Sequence, residues 1–565
     1  MKGISRRSFL RGSALAVASI SASTALTGCM QTPADLVLSQ ASFEHGVASG
    51  DPLATAVILW TRALPITPAS TKSLSLTWEL SSDNNFNNIL RSGVVTTSAL
   101  MDYTIKVDAQ DLQPATVYYY RFNAANTSSP VGRTKTLPVG RVDQIKLAIY
   151  SCANYPAGYF NAYQHGAENT EFDAVLHLGD YIYEYAMGGY ATDKAVEIGR
   201  ALAADNDTEL YTLTDYRKRY ALYRTDNGLQ NLHASAPFIV VWDDHEVSND
   251  TWKEGAQNHT ANEGDFFERR VAAVRAYYEW LPIRPPYGRQ SPQIYRSFDF
   301  GDLISLHMLD TRIIGRDKQL EYSDYRNTQT KEFDQARFNA DISAPSRTIV
   351  GQAQFDWLAS AMKKSEAKWQ VLGQQVLMSK MFMPAAVFGS ARTKVASTVS
   401  MLANLQEKSD KKSPLSEKES SLINTKMPYN MDAWDGYPVE REKLYDLVTS
   451  MNKNLVVVAG DTHNAWHSRL ADQKGKLVGV EFATPGVTSP GMESYLKIDA
   501  EGAKQMANEL VTLVDDLAYC NLHQRGYMTL TINRQEAVAD WVFIDNILST
   551  DYEVSDRHQA RFSAV

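Results

Sequence analysis

The chain is poor in cysteine, which limits the ways in which it can be cross-linked. Among its 565 residues the only cysteines are Cys29, Cys152 and Cys520. If Cys29 is lipidated or removed, two remain, and no disulfide framework is implied. A single bond between Cys152 and Cys520 is the alternative to separate roles for these two residues.

A net positive charge and several familiar enzyme motifs are also lacking. The formal net charge of -9 argues against a binding face for nucleic acid or an anionic membrane. No serine nucleophile elbow, P-loop or dinucleotide fingerprint occurs in a fitting context. The length leaves room for more than one domain, and the composition agrees with an exported soluble enzyme.

Residues 1–29 predict export rather than a folded element. Residues 5–11 carry the twin-arginine signature, and residues 14–26 are too short and too weakly apolar to span a membrane. Residues 26–29 resemble a bacterial lipobox, which would make Cys29 the lipidated first residue of the mature protein. An ordinary signal-peptidase site nearby is the alternative. We expect transport by the twin-arginine translocase to the periplasm or cell surface, with a lipid anchor if Cys29 is modified.

Residues 41–138 have the pattern of a small all-β domain. Strand-forming runs at residues 56–60, 74–80, 103–107 and 117–122 are separated by turn-rich joints. Residues 112–118 resemble the tyrosine-corner segment of a fibronectin-type sandwich. We expect a fibronectin- or immunoglobulin-like β-sandwich, joined by residues 138–142 to the next domain.

Strand and helix signals alternate from residue 143 to residue 549. This predicts an α/β sandwich with a largely parallel inner sheet. Within it, residues 263–280 predict a helix with an aromatic core face, and residues 187–207 predict a loop. Residues 385–428 are interpreted as a largely exposed insertion, a candidate mobile lid, and residues 550–565 as a C-terminal tail.

Four apolar, strand-like runs end abruptly in residues that can bind metal ions. These residues are Cys152, then Asp180 followed by Tyr183, then Asp244 with His245, then Asp461 with His463. Because ligands bind at the C-terminal edge of open α/β sheets, side chains at successive strand ends are expected to meet. An Asp-initiated turn would explain one such edge, but four in one domain indicate a multinuclear metal site.

Together these residues resemble the calcineurin-like metallophosphoesterases, which include the purple acid phosphatases, and more narrowly the PhoD-type alkaline phosphatases. The similarity spans residues 43 to 545 and is carried by Cys152, Gly179-Asp180-x-x-Tyr183, Asp244-His245-Glu246 and Gly460-Asp461-x-His463, with residues 43–52, 309–312 and 434–438 in keeping. The resemblance implies a metallophosphoesterase α/β sandwich and an exported enzyme that hydrolyses phosphate esters with a metal-activated water.

The resemblance also implies a role for each ligand. Asp180 would bridge two metal ions, and Cys152, Tyr183 and His463 would complete the site of an iron ion (Fe³⁺). Asp244 and Asp461 would bind the second ion at positions where relatives have Asn or His. These added carboxylates favour calcium (Ca²⁺) over zinc, while manganese and magnesium stay alternatives.

Other polar residues near these strand ends have less defined roles. His245 would donate to the phosphate or protonate the leaving alkoxide, or else act only structurally. Asp243, expected on the opposite strand face, would orient a neighbour. Asn249 and Arg312 are secondary candidates for substrate contacts. At residues 374–375, two glutamines stand near the place where relatives often have a metal-binding histidine.

Three functions are compatible with this sequence. The first is an alkaline phosphatase acting on monoesters and on some diesters, whether small molecules or polymers. The second is a phosphodiesterase or phospholipase D-like enzyme on the same fold. The third is a surface lipoprotein that binds a partner without catalysis, although such a protein would have no need of the full ligand row.

Overall fold

The structure is a computed structural model that describes residues 37–66, 73–168, 172–284 and 291–564. The predicted export signal and Cys29 lie outside these described residues. Within the described parts, no helix is long and apolar enough to cross a membrane. Contacts between Cα atoms group Leu38–Val565 into one unit.

The described residues form strands throughout the chain, from the first described segment to the last. In chain order they are β1 (Ala41–Ser42), β2 (Val47–Gly50), β3 (Val57–Arg62), β4 (Leu64–Pro65), β5 (Leu74–Ser81), β6 (Ile89–Thr97), β7 (Thr104–Ala109), β8 (Val117–Asn123), β9 (Gly132–Lys135), β10 (Gln144–Tyr150), β11 (Ala174–His177), β12 (Phe238–Val240), β13 (Arg296–Phe300), β14 (Ile304–Met308), β15 (Trp369–Gly373), β16 (Phe382–Pro384), β17 (Lys426–Pro428), β18 (Asn454–Ala459), β19 (Ala465–Ala471), β20 (Leu477–Ala483), β21 (Leu517–Asn521), β22 (Arg525–Asn533), β23 (Glu536–Ile544) and β24 (Val554–Ser563).

The α-helices of the described segments all follow residue 160. They are α1 (Asn161–Glu168), α2 (Leu213–Tyr223), α3 (Asn227–Ser235), α4 (Phe266–Trp280), α5 (Gln335–Ile342), α6 (Gln352–Lys364), α7 (Val395–Asp410), α8 (Glu417–Asn424), α9 (Pro438–Met451), α10 (Met492–Leu496) and α11 (Ala500–Leu513).

Two large mixed sheets form the centre of the fold. One has the strand order β24-β23-β22-β10-β11-β12-β2-β3-β7, and the other β13-β14-β15-β18-β20-β19-β21. Strands β10, β11 and β12 run parallel, as do β14, β15, β18 and β20. The continuous apolar runs of these strands match burial on both faces. Because the strands run parallel, their carboxyl ends lie at one edge of each sheet.

The two sheets pack face to face, with helices on both outer sides. Leu147 of β10 and Leu176 of β11 lie in one cluster of buried residues with Val371 of β15 and Val456 of β18. The opposite face of the nine-stranded sheet packs against α1 to α4, and that of the seven-stranded sheet against α6, α7, α9 and α11. The predicted α/β sandwich is therefore confirmed.

The N-terminal region forms a β-sandwich that shares one sheet with the rest of the chain. A four-stranded sheet, β6-β5-β8-β9, packs against β2, β3 and β7 around a common core. β2 also pairs in parallel with β12, which joins the two parts. The backbone N–H of Gln113 donates to the hydroxyl of Tyr118 at 2.8 Å, as in a tyrosine corner. The exact domain boundaries stay a prediction.

Two segments contain more regular structure than the sequence interpretation assumed. In residues 385–428, much of which is exposed as expected, α7 and α8 bury Val399, Leu402 and Ile423, and β16 pairs with β17 across the base of the insertion. Within the predicted C-terminal tail, β24 pairs with β23 and forms the edge of the nine-stranded sheet. The largely polar sequence of β24 gives little strand signal, since an edge strand needs few buried side chains.

The helix expected at residues 263–280 begins later than predicted. α4 starts at Phe266, capped by Asp265, after a separate short turn of 3₁₀ helix at Ala261–Glu263. Tyr277 and Tyr278 are buried as expected, whereas Phe267 and Val271 are each 47% exposed. The buried apolar face of α4 is therefore narrower than the spacing of its apolar residues suggested. Residues 187–207 contain neither an α-helix nor a strand, as expected.

Candidate metal centre

The predicted ligands meet where strands of both sheets end. Cys152 follows β10, Asp180 follows β11 and Asp244 follows β12, all in the nine-stranded sheet. Asp461 and His463 follow β18 of the facing sheet. The candidate metal centre therefore lies between the carboxyl edges of two packed sheets, as the strand-end pattern predicted.

Several of these residues have a left-handed backbone that only the surrounding structure can impose. The φ angles are +59° at Cys152, +54° at Asp180, +63° at Asp461 and +62° at His463. Each such residue costs roughly 1–3 kcal/mol of backbone strain, which clusters at functional sites. The left-handed backbone therefore coincides with four of the predicted ligands.

The side chains form three overlapping groups that could each hold a metal ion. The groups are Cys152–Asp180–His463, Asp180–Asp244–His245 and Asp243–Asp244–Asp461, and within each group the potential ligand atoms lie within 4.8 Å of one another. Asp180 belongs to two groups, and so does Asp244. This sharing is the arrangement that adjacent ions with a common carboxylate require.

Beside Asp180, the Cys152 thiol and the Tyr183 phenol are favoured in their neutral forms when no cation is bound. Burial and the nearby Asp180 carboxylate raise the pKa values of Cys152 and Tyr183 well above their usual ranges. The Tyr183 hydroxyl donates to Oδ2 of Asp180 at 3.0 Å and accepts from Ser489 at 2.6 Å. A cation is therefore needed to hold this thiol and phenol in their anionic, ligating forms.

The ring of His463 is oriented by the backbone. Its Nδ1 lies 2.7 Å from the carbonyl oxygen of Pro490, to which it can donate a hydrogen bond. Nε2 lies 3.2 Å from the Tyr183 hydroxyl and 3.9 Å from Oδ2 of Asp180. When Nδ1 donates this hydrogen bond, Nε2 is left as an acceptor, which is the usual arrangement for a metal-binding histidine.

Arg312 lies among the carboxylates of the third group. Its guanidinium is fully buried and lies 2.5 Å from Asp243, 2.7 Å from Asp461 and 2.7 Å from Asp432. Nη2 is also 3.7 Å from Asp244. The sequence proposed Arg312 for substrate contacts, but its side chain is occupied by carboxylates. Asp243 therefore has two possible partners. It contacts Arg312, and it also belongs to the third group of potential metal ligands.

His245 is held by a carboxylate that the sequence analysis did not select. Nδ1 of His245 lies 2.8 Å from Oε2 of Glu184, whose Oε1 accepts from the backbone N–H of Asn249 at 2.7 Å. Burial lowers the pKa of His245, but the charges of Asp244, Glu184 and Asp180 outweigh it and raise the pKa well above its usual value. These charges favour the protonated imidazole, which is the form that can donate a proton.

Glu246 supports the turns that carry the ligands. Its carboxylate accepts backbone N–H bonds from Asp180 at 3.0 Å, Tyr181 at 2.5 Å and Asp243 at 2.7 Å. Burial and the neighbouring Asp180 charge raise the pKa of Glu246 to about 8. Its place in the Asp-His-Glu run was the signal available in the sequence, but only the fold shows what it contacts.

The remaining candidates lie at the margin of the site or are structural. Asn249 is partly exposed and accepts from the Tyr185 hydroxyl at 3.0 Å. Gln374 accepts from Trp434 Nε1 at 2.6 Å, and Gln375 donates to the Trp242 carbonyl at 2.7 Å. The two glutamines therefore brace neighbouring strand ends and loops.

The alternative of a disulfide between Cys152 and Cys520 is wrong, because both are free, buried cysteines. Cys520 lies in the core near the helical layer, with Sγ 3.5 Å from the Ala507 carbonyl oxygen. Cys152 is thus left as a thiol at the strand edge beside Asp180.

The donor set fits metal ions. Oδ1 of Asp180 and Oδ2 of Asp243 are buried without a hydrogen-bond partner among the described residues. Buried carboxylate oxygens are costly when unpaired, and a cation would satisfy both. Thiol, phenol and imidazole on one side, with carboxylates on the other, provide two chemically different environments.

Comparison with known proteins agrees with this architecture. Residues 147–541 match the family of PhoD-like phosphatases, and residues 29–138 match the N-terminal domain of PhoD-like phosphatases. The chain is 32% identical to alkaline phosphatase D of Bacillus subtilis (strain 168), over 98% of this chain and 86% of that protein. A solved structure described as PhoD superposes with a TM-score of 0.73 and 31% identity, covering 94% of this chain and 92% of that chain.

The match to PhoD-like phosphatases and to alkaline phosphatase D, over nearly the whole chain, identifies a phosphoric ester hydrolase. The chain belongs to the PhoD-like phosphatase family. The interpretation as a binding-only lipoprotein is therefore wrong.

Proposed function

We propose that this enzyme is a metal-dependent alkaline phosphatase that hydrolyses phosphate monoesters and diesters at the Asp180 centre. The observation that supports this most strongly is the membership of Asp180 in two ligand groups. Cys152, Tyr183 and His463 would hold an iron ion with Asp180. Asp244 and Asp461 would hold a calcium ion with Asp180, because carboxylate oxygens suit a hard cation.

The chain's own residues position the reacting groups around these ions. Bound cations acidify a water and offset charge on the phosphoryl oxygens. Glu184 holds His245 by Nδ1, which leaves Nε2 to donate a proton to the leaving alkoxide. Glu246 fixes the backbone of Asp180, and the His463–Pro490 contact fixes the imidazole that would complete the iron site.

Hydrolysis after controlled metal removal tests this proposal. The purified enzyme would be treated with chelator and reloaded with iron and calcium, singly and together. p-Nitrophenyl phosphate and bis-p-nitrophenyl phosphate would then be assayed. We expect activity only with both metals. Equal activity in fully chelated protein would contradict the proposal. A strong preference for the diester would favour the phosphodiesterase alternative.

The role of His245 can be separated from a purely structural one by varying the leaving group. General acids typically contribute about 10²–10⁴-fold. We expect His245→Asn to reduce kcat strongly for alkyl phosphates, whose alkoxide leaving groups need a proton. The reduction should be much smaller for nitrophenyl phosphates. An equal reduction for both substrates would instead assign His245 to the phosphoryl oxygens or to structure.

Export is proposed from the sequence of residues 1–29. Replacing both arginines, Arg6→Lys and Arg7→Lys, is expected to keep the enzyme in the cytoplasm, because the twin-arginine pair is the address that the translocase reads. Mass spectrometry of the mature N-terminus would show whether Cys29 carries lipid. Unchanged export of the double variant would contradict this route.

A further inference from the structure

An apolar cavity of about 330 Å³ opens directly beside the metal centre. Asp461 and His463 line it. Other lining residues come from β16, α7, α10 and α11, and include Met383, Val395, Leu496, Met506 and Leu510. Its volume lies within the range of roughly 300–1,000 Å³ that is common for ligand pockets.

The cavity lining is mainly apolar, with polar side chains at Tyr429, Asn430, Thr462, Asn464 and Tyr495. Among the described residues that line it, only Asp461 and His463 have side chains that can carry charge. Four methionines contribute to the walls, at residues 381, 383, 492 and 506. Methionine side chains are flexible and adapt to chains of varied shape. Along the walls formed by these methionines with Val387, Val395, Leu496 and Leu510, a hydroxyl group would find no side-chain hydrogen-bond partner, at a considerable cost.

The insertion at residues 385–428 supplies part of this wall. Val387 and Val395 line the cavity, and α7 packs against α11 through buried residues such as Val399, Leu402 and Met506. The insertion therefore helps to define the space next to the ligands Asp461 and His463.

We propose that this cavity binds an aliphatic chain of the phosphate ester while the phosphate group lies at the metal centre. The inference rests on the proposed function of that centre. Because the cavity and the ligands share Asp461 and His463, a chain that enters the cavity can remain attached to a phosphoryl group at the metals. The substrate class is thus a phosphate ester of an aliphatic alcohol, presented as a single molecule.

Binding of alkylphosphonates tests the cavity without requiring turnover. Methyl-, butyl- and octylphosphonate, below their micellar concentrations, would be titrated calorimetrically into the metal-loaded full chain. Affinity is expected to rise about fourfold for each methylene that becomes buried, which corresponds to about 0.8 kcal/mol. The heat-capacity change should become more negative with chain length.

Charged substitutions in the cavity provide the matched comparison. Val395→Asp and Leu496→Asp place a carboxylate at partly buried cavity positions, and each should flatten the dependence of affinity on chain length. Met401→Asp, on the same helix as Val395, and Leu477→Asp change exposed side chains outside the cavity. These controls should keep the wild-type dependence.

The outcomes separate this inference from the function on which it rests. Equal affinity for all three phosphonates, in an enzyme that hydrolyses nitrophenyl esters, would overturn the cavity proposal alone. A chain-length dependence that persists in both folded cavity variants would also overturn it. Failure of every phosphonate to bind, together with no hydrolysis, would contradict the metal-dependent function and the cavity proposal together.

Discussion

Replacing Arg312 by methionine is expected to destabilise the metal-free protein by about 3–5 kcal/mol, the usual cost of leaving buried charges without their partner. The guanidinium is fully buried and contacts Asp243, Asp432 and Asp461, with Asp244 at 3.7 Å. Methionine preserves much of the volume but removes the positive charge. The carboxylates must then repel one another or take up protons.

Urea unfolding in the presence of chelator, followed by tryptophan fluorescence, measures this loss. Saturating calcium should reduce the deficit of Arg312→Met, because a cation at Asp244 and Asp461 replaces part of the missing charge. Arg316→Met is the matched control. Arg316 is equally buried, but its guanidinium bonds to Asp432 and to the Thr311 carbonyl oxygen.

Two results would refute this reasoning. A loss below about 1 kcal/mol, the value of an exposed pair, would show that Arg312 does not compensate the buried carboxylates. An identical response of both variants to calcium would show that the charge of Arg312 is not coupled to the candidate calcium site.

Two further predictions concern the surrounding fold. Burial raises the pKa of Glu481 from 4.5 to about 7. Because folding favours the neutral form of this carboxyl group, it stabilises the fold below pH 4.5. This stabilisation, about 3 kcal/mol, is lost as pH rises through 7. Urea unfolding from pH 4.5 to about pH 8 should show this loss in the wild type and not in Glu481→Gln; parallel curves would contradict it. Gly179 has φ +109°, and an added Cβ would lie 2.3 Å from the Asp243 nitrogen, so Gly179→Ala should displace Asp180 and reduce metal content. Unchanged metal content by elemental analysis would contradict this expectation.

Much of the site could be predicted because its residues directly follow strongly apolar strands. Cys152, Asp180, Asp244 and Asp461 each come within four residues of a strand end, and parallel strands bring such ends together. The short motifs around them then indicated the family. Local sequence was sufficient to predict these residues, because each of them is positioned by the strand that comes just before it.

Residues that act across the fold were harder to predict. Glu184 reaches His245 from a distant part of the sequence, and Arg312 meets Asp432 and Asp461 only after both sheets have packed. Their partners are set by tertiary structure and leave no periodic pattern. The strand β24 was missed for a related reason, since its polar edge sequence lacks the alternation of a half-buried strand.

The metal content of Asp180→Asn is the most direct test of the central claim that Asp180 serves two cation sites. Asparagine keeps the size of the side chain and tolerates the left-handed backbone, so the substitution mainly removes charge. Asp102→Asn is a suitable control, because Asp102 also has a positive φ of 51° but pairs with Arg62. Elemental analysis and hydrolysis of bis-p-nitrophenyl phosphate would be measured together. The account predicts that Asp180→Asn loses both metals and its activity while Asp102→Asn keeps them; full metal content and activity in folded Asp180→Asn would contradict it.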